Sequence, residues 1–226
     1  MNKKKMMILF SATTALTLAA CGGNNSSSST TSTEAGTAKT KYASEVTHEG
    51  TPIKGGTLKY AIVSSSPFSG IFADELSQDA TDSSIGGLVD ESMFEYDENR
   101  KLTNTGLASI EFDVENKTAT VTLNSKEYKW SDGQPVTIDD YIFAYQAIGN
   151  KDYTGVRYDG DFKNVVGMEE YHSGKADSVS GLEKVDDYTV KIHFKEMSPS
   201  MQLAGGSVSA YIMPKHIFKD IPEAEW

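Results

Sequence analysis

From Leu58 onward, apolar residues fall into short runs with two different periods. Thr57-Leu58-Lys59-Tyr60-Ala61-Ile62-Val63 lies between Gly55-Gly56 and Ser64-Ser65-Ser66-Pro67 and predicts a strand. Ile85, Leu88, Val89, Met93 and Phe94 then recur near helical spacing and predict a helix over 85–96, capped by Asp82 or Ser83 and weakened by Gly86-Gly87. Two alternating runs, 110–114 and 118–123, flank Glu115-Asn116-Lys117 and predict a hairpin with Ala119, Val121 and Leu123 on one face. The clearest helix starts at Thr137. Its hydroxyl suits an N-cap, and Asp139-Asp140 put negative charge at the positive end of the dipole. Ile138, Tyr141, Ile142, Tyr145 and Ile148 keep helical spacing until Gly149-Asn150 stops it. A short helix over 165–172 and a second hairpin, 181–185 with 188–194 around Asp186-Asp187, follow. Ser198-Pro199 and Pro214-Lys215-His216-Ile217 predict further helical turns. Such a succession defines an α+β (mixed α/β) body.

The first twenty residues obey a different pattern. Lys3-Lys4-Lys5 precedes an apolar run from Met6 to Leu18, and small residues lead to Cys21. This is the layout of a secretory signal. Ser11, Thr13, Thr14 and Thr17 break it too often for a span of ~20 apolar residues. Residues 1–20 are therefore expected to be a signal peptide. Gly22–Lys41 contains 15 Gly, Asn, Ser or Thr among 20 residues, too polar to offset its own ordering entropy. Residues 21–54 are expected to be a flexible tether, and 55–226 the folded part.

Charge narrows the possible partners. Lys and Arg number 21 against 32 Asp and Glu, a formal charge of −11. Loss of the signal segment with Lys3, Lys4 and Lys5 leaves 18 basic side chains against 32 acidic ones, or −14. Such a surface repels phosphate backbones and argues against nucleic acid as a partner. One cysteine excludes a disulfide framework, and four scattered histidines (His48, His172, His193, His216) give no metal motif.

The candidate chemistry is thin. Asp139-Asp140 and Asp186-Asp187 sit where a cap and a turn want them, and neighbours on a helix do not face each other. His172-Ser173-Gly174-Lys175-Ala176 fails as a phosphate loop, since Glu169 replaces the required glycine and Ala176 the hydroxyl. Asp159-Gly160-Asp161 lacks the later glutamate of a calcium loop and reads as a solvated turn. Neither nucleophile motif nor dinucleotide loop is present. No enzyme, cofactor or metal is expected.

Several stretches carry a resemblance. Leu18-Ala19-Ala20-Cys21 resembles the lipobox of bacterial lipoproteins, in which the cysteine sulfur takes a diacylglyceryl group. Two acyl chains anchor a protein stably where one does not. Tyr128-Lys129-Trp130-Ser131-Asp132-Gly133-Gln134-Pro135-Val136-Thr137-Ile138-Asp139-Asp140-Tyr141-Ile142-Phe143 resembles the signature of the extracellular solute-binding proteins of peptide ABC importers, the oligopeptide-binding family. Ile138 and Tyr141 depart from its usual Ala and Val. Gly55-Gly56-Thr57-Leu58 is similar to the strand with which mature members begin. Gly174-Lys175-Ala176 with Val179-Ser180-Gly181-Leu182 and Asp186-Asp187-Tyr188-Thr189-Val190 is similar to the family's hairpin, and Met213-Pro214-Lys215-His216 to its Pro-Lys-His.

That resemblance implies a two-lobed periplasmic-binding-protein-like fold, closing on an oligopeptide and delivering it to ABC permease subunits. Backbone hydrogen bonds would hold the ligand and tolerate many sequences. Family chains are longer, and this one stops at Trp226 ahead of the second lobe, so an N-terminal part of the peptide-binding domain is expected. Lipid at Cys21 would place it on the outer face of the cell membrane. The turn after the first strand, which lies at the cleft in the family, maps to Ser64, Ser65, Ser66, Pro67 and Phe68. Tyr158 belongs to an aromatic, glycine-containing loop with Tyr153 and Phe162, an alternative contact or simply local packing. The competing functions are another solute as cargo, or a surface lipoprotein acting as adhesin or peptide-signal sensor.

Overall fold

The computed structural model describes residues 51, 54–57, 59–64, 67–198, 201, 208–222 and 225. The signal segment, Cys21, most of the tether, Leu58, Ser65, Ser66 and Pro199 lie outside these. The chain divides after Leu58, and all that follows concerns the unit Lys59–Trp226. Its elements, in order, are α1 (Ala80–Gly86), β1 (Ala108–Asp113), β2 (Thr118–Leu123), α2 (Ile138–Gly149), α3 (Gly160–Lys163), α4 (Met168–His172), β3 (Leu182–Lys184), β4 (Thr189–His193) and α5 (Lys215–Phe218). Mixed α/β architecture is what the sequence predicts. Among the described residues no helix is long and apolar enough to cross a membrane.

Two local hairpins make one antiparallel sheet in the order β1-β2-β4-β3. Asp113 tightens the first turn by accepting from the Asn116 amide at 3.0 Å, and Lys117 takes a left-handed φ of 54°. The hairpins meet where β2 pairs with β4, Val121 opposite Val190 and Ala119 opposite Ile192. Period-2 alternation puts Ile110, Ala119, Val121, Val190 and Ile192 on one buried face. α2 lays Ile138, Tyr141, Tyr145 and Ile148, all buried, into the same core, while Ile142 stays half-buried. Two tyrosine hydroxyls inside a core need partners. Tyr141 donates to the Ser209 carbonyl at 2.6 Å, and the Ser209 amide donates to the Tyr145 oxygen at 2.8 Å. Burial pushes the Tyr145 hydroxyl up to about 12.

α2 begins as the sequence predicts, with a capping box between Thr137 and Asp140. Asp140 does more than cap. Its Oδ2 accepts from the Thr137 amide (2.9 Å) and from the Trp130 indole N–H (3.3 Å), and its Oδ1 from the Lys215 amide (2.9 Å). One buried carboxylate thereby joins the turn before the helix, the helix itself and the segment leading into α5. Its neighbour Asp139 faces outward and pairs with Lys184 at 2.8 Å.

Four expectations are corrected. Of the strand expected over 57–63, the described residues 59–63 form no ladder, and Tyr60 and Val63 are exposed, because no described segment runs alongside to accept their hydrogen bonds. The helix over 85–96 lies earlier, at Ala80–Gly86. Asp79 caps it through the Thr81 amide (2.7 Å), and Gly87 closes it, so Met93 and Phe94 reach the core from irregular backbone. The helix over 165–172 is confined to 168–172, and Asp159 caps the extra α3 instead of forming a plain solvated turn.

The backbone at 92–93 also closes off β1. Leu107 and Ala108 amides donate to the Ser92 and Met93 carbonyls, and the Asn104 side chain accepts from the Ile110 amide at 3.0 Å. An open sheet edge is thus covered. Gly106 makes this approach possible, since a Cβ there would lie 2.7 Å from the Met93 oxygen and 2.8 Å from that of Ser92. Gly106→Ala is expected to destabilise the protein by about 1–3 kcal/mol through overpacking, read as a lower urea midpoint.

Candidate functional site

The stretch after the predicted first strand is held by serines and one buried acid. Ser64 Oγ lies 2.8 Å from Thr81 Oγ1. Ser69 donates its hydroxyl to Asp82, whose other oxygen accepts from the Gly70 amide at 3.3 Å. The Ser69 bond, with those backbone amides, holds the wholly buried Asp82 carboxyl below its ordinary range. Tied to α1 this way, the stretch leaves Phe68 and Phe72 near the surface, their rings 5.6 Å apart.

A tight turn follows, with Leu76 and Ser77 amides both donating to the Ala73 carbonyl. The aromatic loop predicted around Tyr153 grips it. Arg157 donates from Nε to the Asp74 carbonyl (3.3 Å) and from Nη2 to that of Ser77 (3.2 Å), and the Tyr153 hydroxyl donates to that of Glu75 (2.5 Å). The Arg157 guanidinium also lies over the Tyr211 ring, 5.3 Å from its centroid.

Beside this turn is a cavity of about 660 Å³. Its walls come from four stretches remote in sequence: Phe72–Glu75, Val89–Glu91, Tyr128–Ser131 and Ala210–Pro214, with Phe218 behind. Its volume falls within the ~300–1,000 Å³ of small-ligand sites. The lining mixes aromatic rings (Phe72, Tyr128, Trp130, Tyr211) with four acids (Asp74, Glu75, Asp90, Glu91) and the cation Lys129. Trp130 is half-buried, packs against the core, is fixed through its indole N–H to Asp140, and also forms part of this wall.

Glu75 differs from the other acids, being only 5% exposed. Burial raises its carboxyl from 4.5 to about 7, against the pull of its own backbone amide; Asp74 and Asp90 push the same way and Arg157 opposes them. Asp90, at the rim, is raised by the protein around it and by Asp74.

Of the site residues expected from sequence, Ser64 and Phe68 lie together on the stretch packed against α1, while Ser65 and Ser66 lie outside the described residues. Tyr158 is elsewhere: its ring stacks on His172 at 3.9 Å, beneath Lys163. None of the three lines the cavity, whose residues the sequence reading missed. The one available signal was Asp74-Glu75 and Asp90-Glu91 as paired acids next to aromatics. Among the described residues no cluster of potential metal ligands is assembled.

The fold places this cavity beside a small antiparallel sheet, and comparison with known proteins gives the class. Residues 104–226 match the middle region of the bacterial extracellular solute-binding proteins, family 5, and the chain belongs to this family. It is 38% identical over 164 residues to the oligopeptide-binding protein OppA of Lactococcus lactis subsp. cremoris, covering 70% of this chain and 27% of that protein. Lactococcal OppA, solved with an endogenous peptide in the closed conformation, superposes with a TM-score of 0.66 at 36% identity, over 71% of this chain and 31% of that one. Haemophilus influenzae OppA in complex with RPPGFSPFR gives a TM-score of 0.55 at 25% identity, over 67% and 30%. The chain thus spans less than a third of the length of the relatives it matches.

Proposed function

We propose that this chain belongs to the substrate-binding protein of a peptide ABC importer, which captures oligopeptides outside the cell and hands them to membrane permease subunits. The observation that carries the reading is the 38% identity to an oligopeptide-binding protein over 164 residues. The two hairpins, α2 and the Asp140 junction form the frame of one lobe. Closure against a second lobe would trap an extended peptide through its backbone groups, and the ligand would stabilise the closed state. Mass spectrometry of ligands released from the purified full-length protein tests this. Peptides of mixed sequence are the expected result, and a single non-peptide solute would refute it.

In this proposal residues 1–20 are a lipoprotein signal peptide, Cys21 carries the lipid, and residues 21–54 tether the body to the outer face of the membrane. Cys21→Ala is expected to abolish metabolic labelling by palmitate and to release the protein or leave it unprocessed, because the chain has no other thiol. Membrane retention of a processed, unlabelled Cys21→Ala protein is the contrary result.

A further inference from the structure

We propose that the cavity beside the Ala73 turn is a side-chain pocket for a positively charged residue of the bound peptide, its guanidinium or ammonium group held between aromatic rings and the Glu75 carboxylate. This rests on the peptide-binding reading above and adds to it a ligand chemistry and a location.

Glu75 carries the argument. It lines the cavity, is 95% buried, and apart from its own backbone amide no described group donates a hydrogen bond to its carboxyl. An unpaired buried carboxylate is costly, and protein interiors ordinarily supply it a partner. Arg157, the cation whose charge acts on Glu75, directs Nε and Nη2 at the backbone carbonyls of Asp74 and Ser77 and lies over the Tyr211 ring. It shapes the wall and leaves the Glu75 carboxyl without a direct donor.

The rest of the lining suits a cation. Phe72, Trp130 and Tyr211 present rings, and cations over such faces gain ~0.5–2 kcal/mol, most when desolvated. Asp74, Asp90 and Glu91 at the mouth add negative potential, which concentrates cations at the entrance. A long basic side chain meets both demands, its methylenes against the rings and its charge at Glu75. An acidic side chain would be repelled, and a neutral polar one could donate a hydrogen bond but would leave the negative charge uncompensated.

Binding should therefore be linked to ionisation. The titratable and charged groups facing Glu75 are Asp74, Asp90, Tyr153, Tyr211 and Arg157, with Lys129 on the lining. A cation arriving among them favours the ionised form, so its capture releases a proton near neutral pH.

The test uses the full-length protein freed of co-purified ligand and two matched peptide libraries, one with a single arginine and the other with citrulline, its neutral isostere, in that place. A charged hydrogen-bonded pair makes the arginine library bind about ten- to a hundredfold more tightly at about pH 8. That ratio shrinks at about pH 6, where Glu75 is protonated. Glu75→Gln, which keeps the shape of the protonated group, brings the ratio to about one. Asp90→Asn, exposed at the rim, reduces it by about two- to fivefold and answers the same question should the buried variant fold poorly. Equal affinity for both libraries in the unaltered protein overturns the pocket assignment and leaves the peptide-binding reading intact. The same equality would follow if another part of the full-length polypeptide filled the cavity. Binding of neither library overturns both.

Discussion

Replacing Asp140 by alanine is expected to cost about 3–5 kcal/mol of stability, the largest effect of any single substitution considered. The carboxylate takes four hydrogen bonds: from the Trp130 indole N–H, the Thr137 amide and hydroxyl, and the Lys215 amide. At 4% exposure the site cannot call on bulk water to replace it. Each donor left unpaired costs ~1–3 kcal/mol, and partial relaxation keeps the total below a simple sum. Asp140→Asn retains one acceptor oxygen but turns an amide towards a donor, so an intermediate loss is expected. Thr137→Ala should cost only ~1 kcal/mol, as for a lost cap. Urea unfolding of the three variants gives the order directly. A loss below 1 kcal/mol for Asp140→Ala would mean that the junction is held by packing alone. Loss of the indole bond should also free Trp130 to move, seen as a red shift of its fluorescence.

Stability is expected to fall by about 3 kcal/mol as the pH rises through the interval set by Glu75. In the unfolded chain this carboxyl ionises at its ordinary 4.5; in the fold it holds its proton to about 7. Between these values the folded state binds more protons than the unfolded one, so stability declines with rising pH and levels off above about 7. Below 4.5 both states are protonated and the contribution is complete. Asp82 works in the opposite sense, its depressed value adding stability that is lost only in acid. Glu75→Gln should remove the decline, and the variant should be the more stable protein at about pH 8. Comparison of the two unfolding curves from about pH 5 to about pH 8 decides it, and parallel curves would place Glu75 in contact with water. A buried acid that weakens the fold at neutral pH is consistent with a place kept for a cation.

What was legible in the sequence is what short-range physics decides. Thr137 with Asp140 specifies a helix start within one turn, and the alternation on either side of Glu115-Asn116-Lys117 and Asp186-Asp187 specifies two hairpins that need no distant partner. The helical end of the Tyr128–Phe143 stretch forms as its spacing predicts, from the Thr137 cap onward. Trp130 packs against the core and also lines the cavity together with Tyr211 and Met213, remote residues that the local pattern does not bring beside it. Leu88, Val89, Met93 and Phe94 have helical spacing, yet Asp79 offers a better cap upstream and Gly86-Gly87 ends the helix before them. The cavity was invisible for a different reason. Its four walls are brought together by the sheet and by Asp140, and the burial of Glu75 depends on a turn that Arg157 and Tyr153 hold from about eighty residues away, at separations of 80 and 78.

The two tyrosine bonds to Ser209 bear on the order in which the fold assembles. They span separations of 68 and 64 residues, whereas each hairpin closes over a handful. Ordering a long intervening loop must precede any reward from such remote contacts, so the hairpins and α2 are expected to form early and segment 208–215 to dock onto them late. By microscopic reversibility the last piece to dock is the first to leave, at a free energy below that of global unfolding. Its departure takes Tyr211, Met213 and Pro214 out of the cavity wall while β1–β4 remain paired. For a side chain held in the proposed pocket, escape is therefore expected to follow a sub-global opening of about eight residues (208–215) as well as the strength of its own contacts.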